Sequence, residues 1–200
     1  MNILIGVSGG IATYKTCSLV ARLTKKHSVR VIMTDAAKKF VGPLTFETLT
    51  NHSLIDGSRG LKDEVVTMTT MPGRQIVPHI YYPQLWADLF VIAPATANII
   101  GKAANGIADD FLSSCILASD KPILFVPAMN QVMYEKAATQ RNLTTLKADG
   151  EWILEPEIGN LACGITGKGK MPSPEIIVKE IDNILIERYP QFITKGADHK

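Results

Sequence analysis

The chain has 200 residues, enough for one domain that encloses a real hydrophobic core. Hydrophobic residues make up 46% and charged residues 20%, and the formal net charge of +2 is too small to argue for nucleic acid or a membrane surface as partner. Three widely spaced cysteines suggest neither a disulfide framework nor a zinc site, and no apolar run reaches the ~18 residues of a membrane span.

The N-terminal run Asn2–Val7 is short, continuous and apolar, which predicts a strand buried on both faces. It is too short for a signal peptide and lacks a basic flank, so a reducing, cytoplasmic location is expected. Ser8-Gly9-Gly10 turns the chain, and Leu19, Val20 and Leu23 fall at helical spacing within a helix expected over Ile11–Lys25. Ser28–Met33 reads as the second strand, with Thr34 placed to cap a following helix. This strand–helix–strand order is a βαβ unit, so the sheet should be parallel. Pro43–Thr50 suits a short helix, Asn51–Met71 shows no clear period, and Pro72-Gly73 marks a turn. Ala87–Ala93 is expected as a strand ending at Pro94, followed by helices over Thr96–Ala104 and Asp109–Ala118. Pro122–Val126 reads as another strand, stopped by Pro127, and Gln131–Ala148 as the longest uninterrupted helix, since it contains no glycine or proline. A short strand at Glu151–Leu154, a glycine-rich loop over Gly159–Met171 and an amphipathic helix over Pro174–Arg188 complete the pattern. The whole predicts a three-layer α/β sandwich around a doubly wound parallel sheet, Rossmann- or flavodoxin-like, with one domain over 1–188 and a flexible tail over 189–200.

Ligands of open parallel sheets bind beyond the carboxyl ends of the strands. Ser8-Gly9-Gly10, Thr34, Pro94–Asn98 and Pro127–Asn130 all fall there. Small residues let backbone N–H groups approach a ligand, Ser8 and Thr96 add hydroxyls, and a helix starting near Gly10 offers a positive dipole end, so an anionic cofactor is expected. Neither the dinucleotide glycine spacing nor a Walker loop is present. Gly6-Val7-Ser8-Gly9-Gly10 does match a nucleophile elbow, but on the first strand and without an oxyanion-loop signal. His79, just before the aromatic cluster Tyr81, Tyr82 and Trp86, is either structural or a proton-transfer group. Asn130 reads equally as a helix cap or as a ligand donor. Cys17 and Cys115 fall inside helices as small core residues, whereas Cys163 sits among Gly159, Gly164, Gly167 and Gly169, in either an ordinary surface loop or a mobile flap presenting a thiol.

These segments together resemble the homo-oligomeric flavin-containing cysteine decarboxylases, over about Met1–Arg188. Ser8-Gly9-Gly10-Ile11-Ala12 resembles the family's phosphate-binding turn. Pro94–Ile99 (PATANI) resembles its PASANT motif, with Thr96 for Ser and Ile99 for Thr, and Pro127–Asn130 is identical to its PAMN motif. Gly159–Met171 resembles its substrate clamp, with Lys170 where Arg is common, and His79 matches its active-site histidine by position. The resemblance implies FMN, held by Ser8, Gly9, Gly10, Ile11 and Ala12 and by Pro94, Ala95, Thr96, Ala97 and Asn98, with Thr34 nearby. It implies substrate contacts from Ala128, Met129, Asn130, Ala162, Gly164, Lys170 and Met171, and no metal. The implied reaction converts 4'-phospho-N-pantothenoylcysteine to 4'-phosphopantetheine in coenzyme A synthesis, by oxidation of the thiol carbon, decarboxylation and reduction of the enethiol. His79 would assist proton transfer, Asn130 would orient the carboxylate, and Cys163 would donate the final proton. Trimers or dodecamers with sites at subunit interfaces, and a separate phosphopantothenate–cysteine ligase, are implied as partners. A peptidyl-cysteine decarboxylase, a flavin prenyltransferase of related fold and a non-catalytic flavin-binding regulatory subunit are the alternatives.

Overall fold

The computed structural model describes residues 1–55, 77–162, 164 and 166–192. The expected turn at Pro72-Gly73, most of the 51–71 stretch, Cys163 and residues 193–200 lie outside the described residues. Strands β1 (Asn2–Val7), β2 (Ser28–Met33), β3 (Leu89–Ala95), β4 (Ile123–Pro127) and β5 (Trp152–Ile153) form one parallel sheet in the order β2-β1-β3-β4-β5. That is the flavodoxin-like order, with its switch point between β1 and β3.

Alternation along the strands feeds two cores. Ile3, Ile5 and Val7 point to one face with Val91 and Leu124, where α1 (Thr13–Leu23), α3 (Pro43–Thr50) and α9 (Pro174–Arg188) cover them with Leu19, Phe46 and Ile181. Leu4, Phe90, Ile92 and Phe125 point to the other face, against Ile99 and Ile100 of α5 (Ala97–Ala104), Leu112 and Cys115 of α6 (Phe111–Ala118), and Leu143 and Leu146 of α8 (Ala137–Ala148). With apolar residues on both faces, β1, β3 and β4 read as near-continuous apolar runs, whereas the edge strand β2 carries Ser28 and Arg30. Cys115 is fully buried and its thiol is pushed up to about 12 by burial and then by the Asp110 charge, so it is inert. Cys17 packs at the margin of the first core.

Several expected boundaries move. Pro94 and Pro127 are the penultimate residue of β3 and the last of β4 rather than stops outside them. The β3–β4 register shifts between Ile92 and Ala95, around the proline that has no N–H for the ladder. The expected Gln131–Ala148 helix is two helices, α7 (Gln131–Glu135) and α8, because Lys136 has an extended ψ of 132°. The expected glycine-rich loop is largely a hairpin of β6 (Glu157–Asn160) and β7 (Thr166–Lys170). Two elements were not anticipated, the short helix α4 (Pro78–Tyr81) and a π-turn at Tyr82–Trp86, where Tyr82 packs edge-on against both Tyr81 and Trp86. The expected flexible tail begins tied down, since the Tyr189 hydroxyl donates to Asp88 O at 2.9 Å before a 3-10 turn at Pro190–Phe192.

At the opposite end of the sheet from the strand-end turns, Glu151 Oε2 accepts the Ile123 N–H at 3.0 Å, joining the starts of β4 and β5. Burial, with help from Asp149, raises this carboxyl from 4.5 to about 7, against the Ile123 N–H and Arg188. A raised carboxyl means that the folded state holds its proton more tightly than the unfolded chain. Stability from this group is therefore full below pH ~4.5 and falls as pH rises toward ~7. Glu151→Gln keeps an acceptor for Ile123 without the charge. It is expected to flatten the fall in Tm between pH 5 and 7.5 and to raise Tm at pH 8 by about 2–4 °C, allowing for solvent screening of a part-exposed group. Thermal melts across that range check this, and an unchanged pH slope would contradict it.

Candidate active site

A cavity of about 650 Å³ opens at the carboxyl ends of β1, β3 and β4, within the size range of small-molecule sites. Three separate stretches and the hairpin form its walls.

The first wall is the turn after β1, Gly9, Gly10, Ile11 and Ala12, followed by Tyr14 and Lys15 on α1. Gly9 is required there by close approach: a Cβ built on it would stand 2.4 Å from the Ala36 Cβ of helix α2 (Asp35–Lys38). α1 begins at Thr13 rather than Ile11, and the Thr13 and Lys15 N–H groups donate back to Gly10 O at 3.0 Å and Ala12 O at 2.9 Å, which fixes the turn at the helix start.

The second wall is Thr96 and Ala97 at the start of α5. Thr96 caps α5 by accepting the Ile99 N–H at 3.4 Å. Ile99, where the family motif has a hydroxyl, is buried in the second core. Ser8 was expected to turn its hydroxyl toward a ligand, and the structure places it elsewhere. It is 2% exposed, donates to Pro94 O at 2.7 Å and accepts the Thr96 N–H at 3.0 Å. Its hydroxyl joins the first wall to the second from behind. Pro94 and Ala95 are likewise buried in β3 behind the cavity, and Asn98 is exposed on α5. Thr34 uses its hydroxyl to cap α2 by accepting the Ala37 N–H at 3.1 Å, and does not line the cavity.

The third wall is Ala128, Met129 and Asn130 after β4, with Met133 on α7. Asn130 is indeed a cap: its Oδ1 accepts the Val132 N–H at 2.8 Å, while the residue also faces the cavity. The cap reading of Asn130 is thus seen in the structure, and the residue stands at the cavity wall.

The hairpin covers this wall with Asn160, Leu161, Ala162, Gly169, Lys170 and Met171. Gly169 O accepts the Met129 N–H at 3.0 Å. Gly169 has φ 151°, and a Cβ there would come within 2.2 Å of Met129 O, so glycine is what lets β7 lie on the Asn130 turn. Gly164, at φ 82°, donates its N–H to Leu161 O at 2.9 Å near the hairpin tip and does not line the cavity.

Lys15 carries no signal in the sequence. Its Nζ donates to Met171 O at 2.9 Å, across 156 residues, and so ties α1 to the end of the hairpin. Burial and then the neighbouring Lys170 charge lower its pKa, against Glu157, which lies 3.8 Å from Lys170. Two cations beside one carboxylate favour a negatively charged ligand in this cavity. His79 stands apart, on α4, half-buried, with its ring edge-on to Phe111 at 6.3 Å; it does not line the cavity of its own chain.

Glycine-lined turns at a helix start, a cationic side and an otherwise apolar lining suit FMN, with its phosphate and its flat ring system. Fold and cavity together define an α/β protein that holds a phosphate-bearing ligand at the switch point of a parallel sheet. The chain belongs to the flavoprotein family, whose model matches residues 1–186. It is 47% identical over 180 residues to the coenzyme A biosynthesis bifunctional protein CoaBC of Bacillus subtilis, covering 89% of this chain but 41% of that protein. The chain thus spans about two fifths of the length of the curated relatives it matches. Among solved structures it is similar to a cysteine-to-serine mutant of PPC decarboxylase in complex with pantothenoylaminoethenethiol, at 31% identity and TM-score 0.78 over 92% of this chain and 97% of that one. It is also similar to the FMN-dependent cysteine decarboxylase SpaF, at 31% identity and TM-score 0.74 over 94% and 97%.

Proposed function

We propose that this chain catalyses the FMN-dependent decarboxylation of 4'-phospho-N-pantothenoylcysteine to 4'-phosphopantetheine. The observation that carries this reading is the meeting of the Gly9–Ala12 turn, the Thr96–Ala97 turn, Asn130 and the glycine hairpin around one cavity. Likeness to PPC decarboxylase over nearly its whole length, and to CoaBC, supports the same substrate.

FMN, when bound, supplies reversible two-electron oxidation of the substrate. Gly9, Gly10, Ile11 and Ala12 would hold its phosphate side together with Thr96 and Ala97, whereas Ser8, Pro94 and Ala95 shape that wall from behind. Asn130 holds the substrate carboxylate by donating from its amide nitrogen, while Oδ1 stays on Val132. Lys15 and Lys170 draw the anionic substrate in. Cys163 donates the proton that completes the saturated thiol, as a thiol of ordinary pKa ~8.5 can near neutrality. The hairpin keeps water from the reacting atoms. His79 reaches a substrate only if another copy brings it there, so the reading includes self-association, as a trimer or a dodecamer. A phosphopantothenate–cysteine ligase supplies the substrate in this reading, and the cytoplasm is its place. No helix among the described residues is long and apolar enough to cross a membrane.

The test is the colour of the purified protein and the mass of its product. A yellow protein that releases FMN and converts phosphopantothenoylcysteine to the saturated thiol is expected. A colourless protein, or one whose product stops at the enethiol, would contradict the reading, the second result pointing to a peptidyl-cysteine type of enzyme.

A further inference from the structure

One carboxylate outside the cavity joins two pieces of the site that lie outside the main sheet, α7 and the hairpin. Glu155 stands between β5 and β6, at the root of the hairpin. Its Oε2 accepts from the Tyr134 hydroxyl on α7 and from Lys168 Nζ on β7, the latter at 2.9 Å. Its Oε1 accepts from Lys147 Nζ on α8 at 2.9 Å. Lys168 Nζ also lies 5.3 Å from the centre of the Tyr134 ring, a cation–π distance. Donors from three separate elements thus converge on a single side chain. Burial alone would raise the Glu155 carboxyl, but hydrogen bonds from Tyr134, Lys147 and Lys168 outweigh it and hold it at about 2.

Two of the three elements that Glu155 grips need an external anchor. α7 has five residues and is cut off from α8 at Lys136, so it neither supports itself as a helix nor takes its direction from α8. The β6–β7 pair lies outside the main sheet, and a lone two-stranded hairpin is marginal in water. Tyr134 is 3% exposed, and its N–H donates to Asn130 O at 3.0 Å, so fixing Tyr134 fixes the turn that carries Asn130. Lys168 is flanked by Gly167 and by Gly169, whose carbonyl accepts from Met129, so fixing Lys168 seats β7 on that same turn.

We propose that Glu155 is a positioning residue that sets the hairpin strand and the Asn130 turn in a fixed register around the bound substrate. Its side chain is 46% exposed, so its contribution to global stability is small. Its effect falls on the geometry of the cavity.

The kinetic part of the test rests on the decarboxylase reading, and the second part does not. In FMN-loaded full-length protein, Glu155→Gln is expected to raise KM for phosphopantothenoylcysteine ~10-fold, the scale of one charge-assisted hydrogen bond, with kcat changed by less than ~3-fold. Hydrogen exchange of the β7 amides, residues 166–170, should quicken by a similar ~10-fold while β1 and β3 keep their protection. Glu155→Asp, which keeps the charge, should recover part of both effects. Unchanged β7 exchange with unchanged KM overturns the proposal, and so does exchange that quickens equally throughout the protein. If the unaltered protein does not turn over the substrate, the functional reading fails, and the exchange measurement still decides the role of Glu155.

Discussion

Asn130→Asp should yield a folded, yellow protein whose decarboxylation has fallen by about a thousandfold. The two ends of the Asn130 side chain do different things, and this substitution separates them. Oδ1 accepts the Val132 N–H and caps α7, and an aspartate oxygen accepts the same N–H at least as well. What is lost is the amide donor, replaced by a second oxygen that carries charge. An interaction that attracted the substrate carboxylate becomes one that repels it, a swing on the order of 4 kcal/mol for charges ~4 Å apart at a surface-like dielectric, or ~10³-fold in rate. FMN content, Tm and kcat/KM measured on one preparation check this. A rate within tenfold of the unaltered protein would remove Asn130 from the proposed role. A colourless or unfolded protein would show that the added charge disturbs the FMN site or the fold, rather than the substrate contact alone.

Cys163→Ser should oxidise and decarboxylate the substrate but release the enethiol in place of the saturated thiol. Ala162, immediately before it, lines the cavity, and Gly164, immediately after it, has φ 82°. The change replaces one sulfur by oxygen, so fold and FMN binding should be unaffected. Acidity is what changes: a thiol of pKa ~8.5 gives up its proton readily near neutrality, and an aliphatic hydroxyl is far too weak an acid to do so. Product masses from the two proteins, compared under identical conditions, check the assignment. Full conversion to the saturated thiol by the serine variant would overturn it.

The parts of the molecule that were legible are those where local chemistry and tertiary packing agree. Strands β1, β3 and β4 read as apolar runs because both of their faces are covered, and the turns at Gly9–Ala12, Thr96–Ala97 and Ala128–Asn130 were found because small residues at strand ends have few other uses. The break at Lys136 was not legible. Nothing between Gln131 and Ala148 breaks a helix; the bend accompanies the grip of Glu155 on Tyr134, which only the folded chain brings together. The hairpin was mistaken for a loop because its glycines look like flexibility in one dimension, whereas Gly169 provides clearance for Met129 in three. Lys15 gave no signal, since a lysine on an amphipathic helix is ordinary until Met171 O is seen beside it. Ser8 misled in the opposite direction. A small polar residue after a strand suggests a ligand donor, and its neighbours consume its hydroxyl instead.

That buried hydroxyl has a consequence for recognition. Ser8 binds two turns that are 86 residues apart in sequence into a single surface, using hydrogen bonds between protein groups alone. Ordering that surface is accomplished when the chain folds, and a ligand arriving there meets a template already in shape. Little of its binding energy is then spent on conformational entropy, which is the usual penalty at sites made of loops. The same knot makes the template intolerant of change in length: one residue added to either turn would displace both.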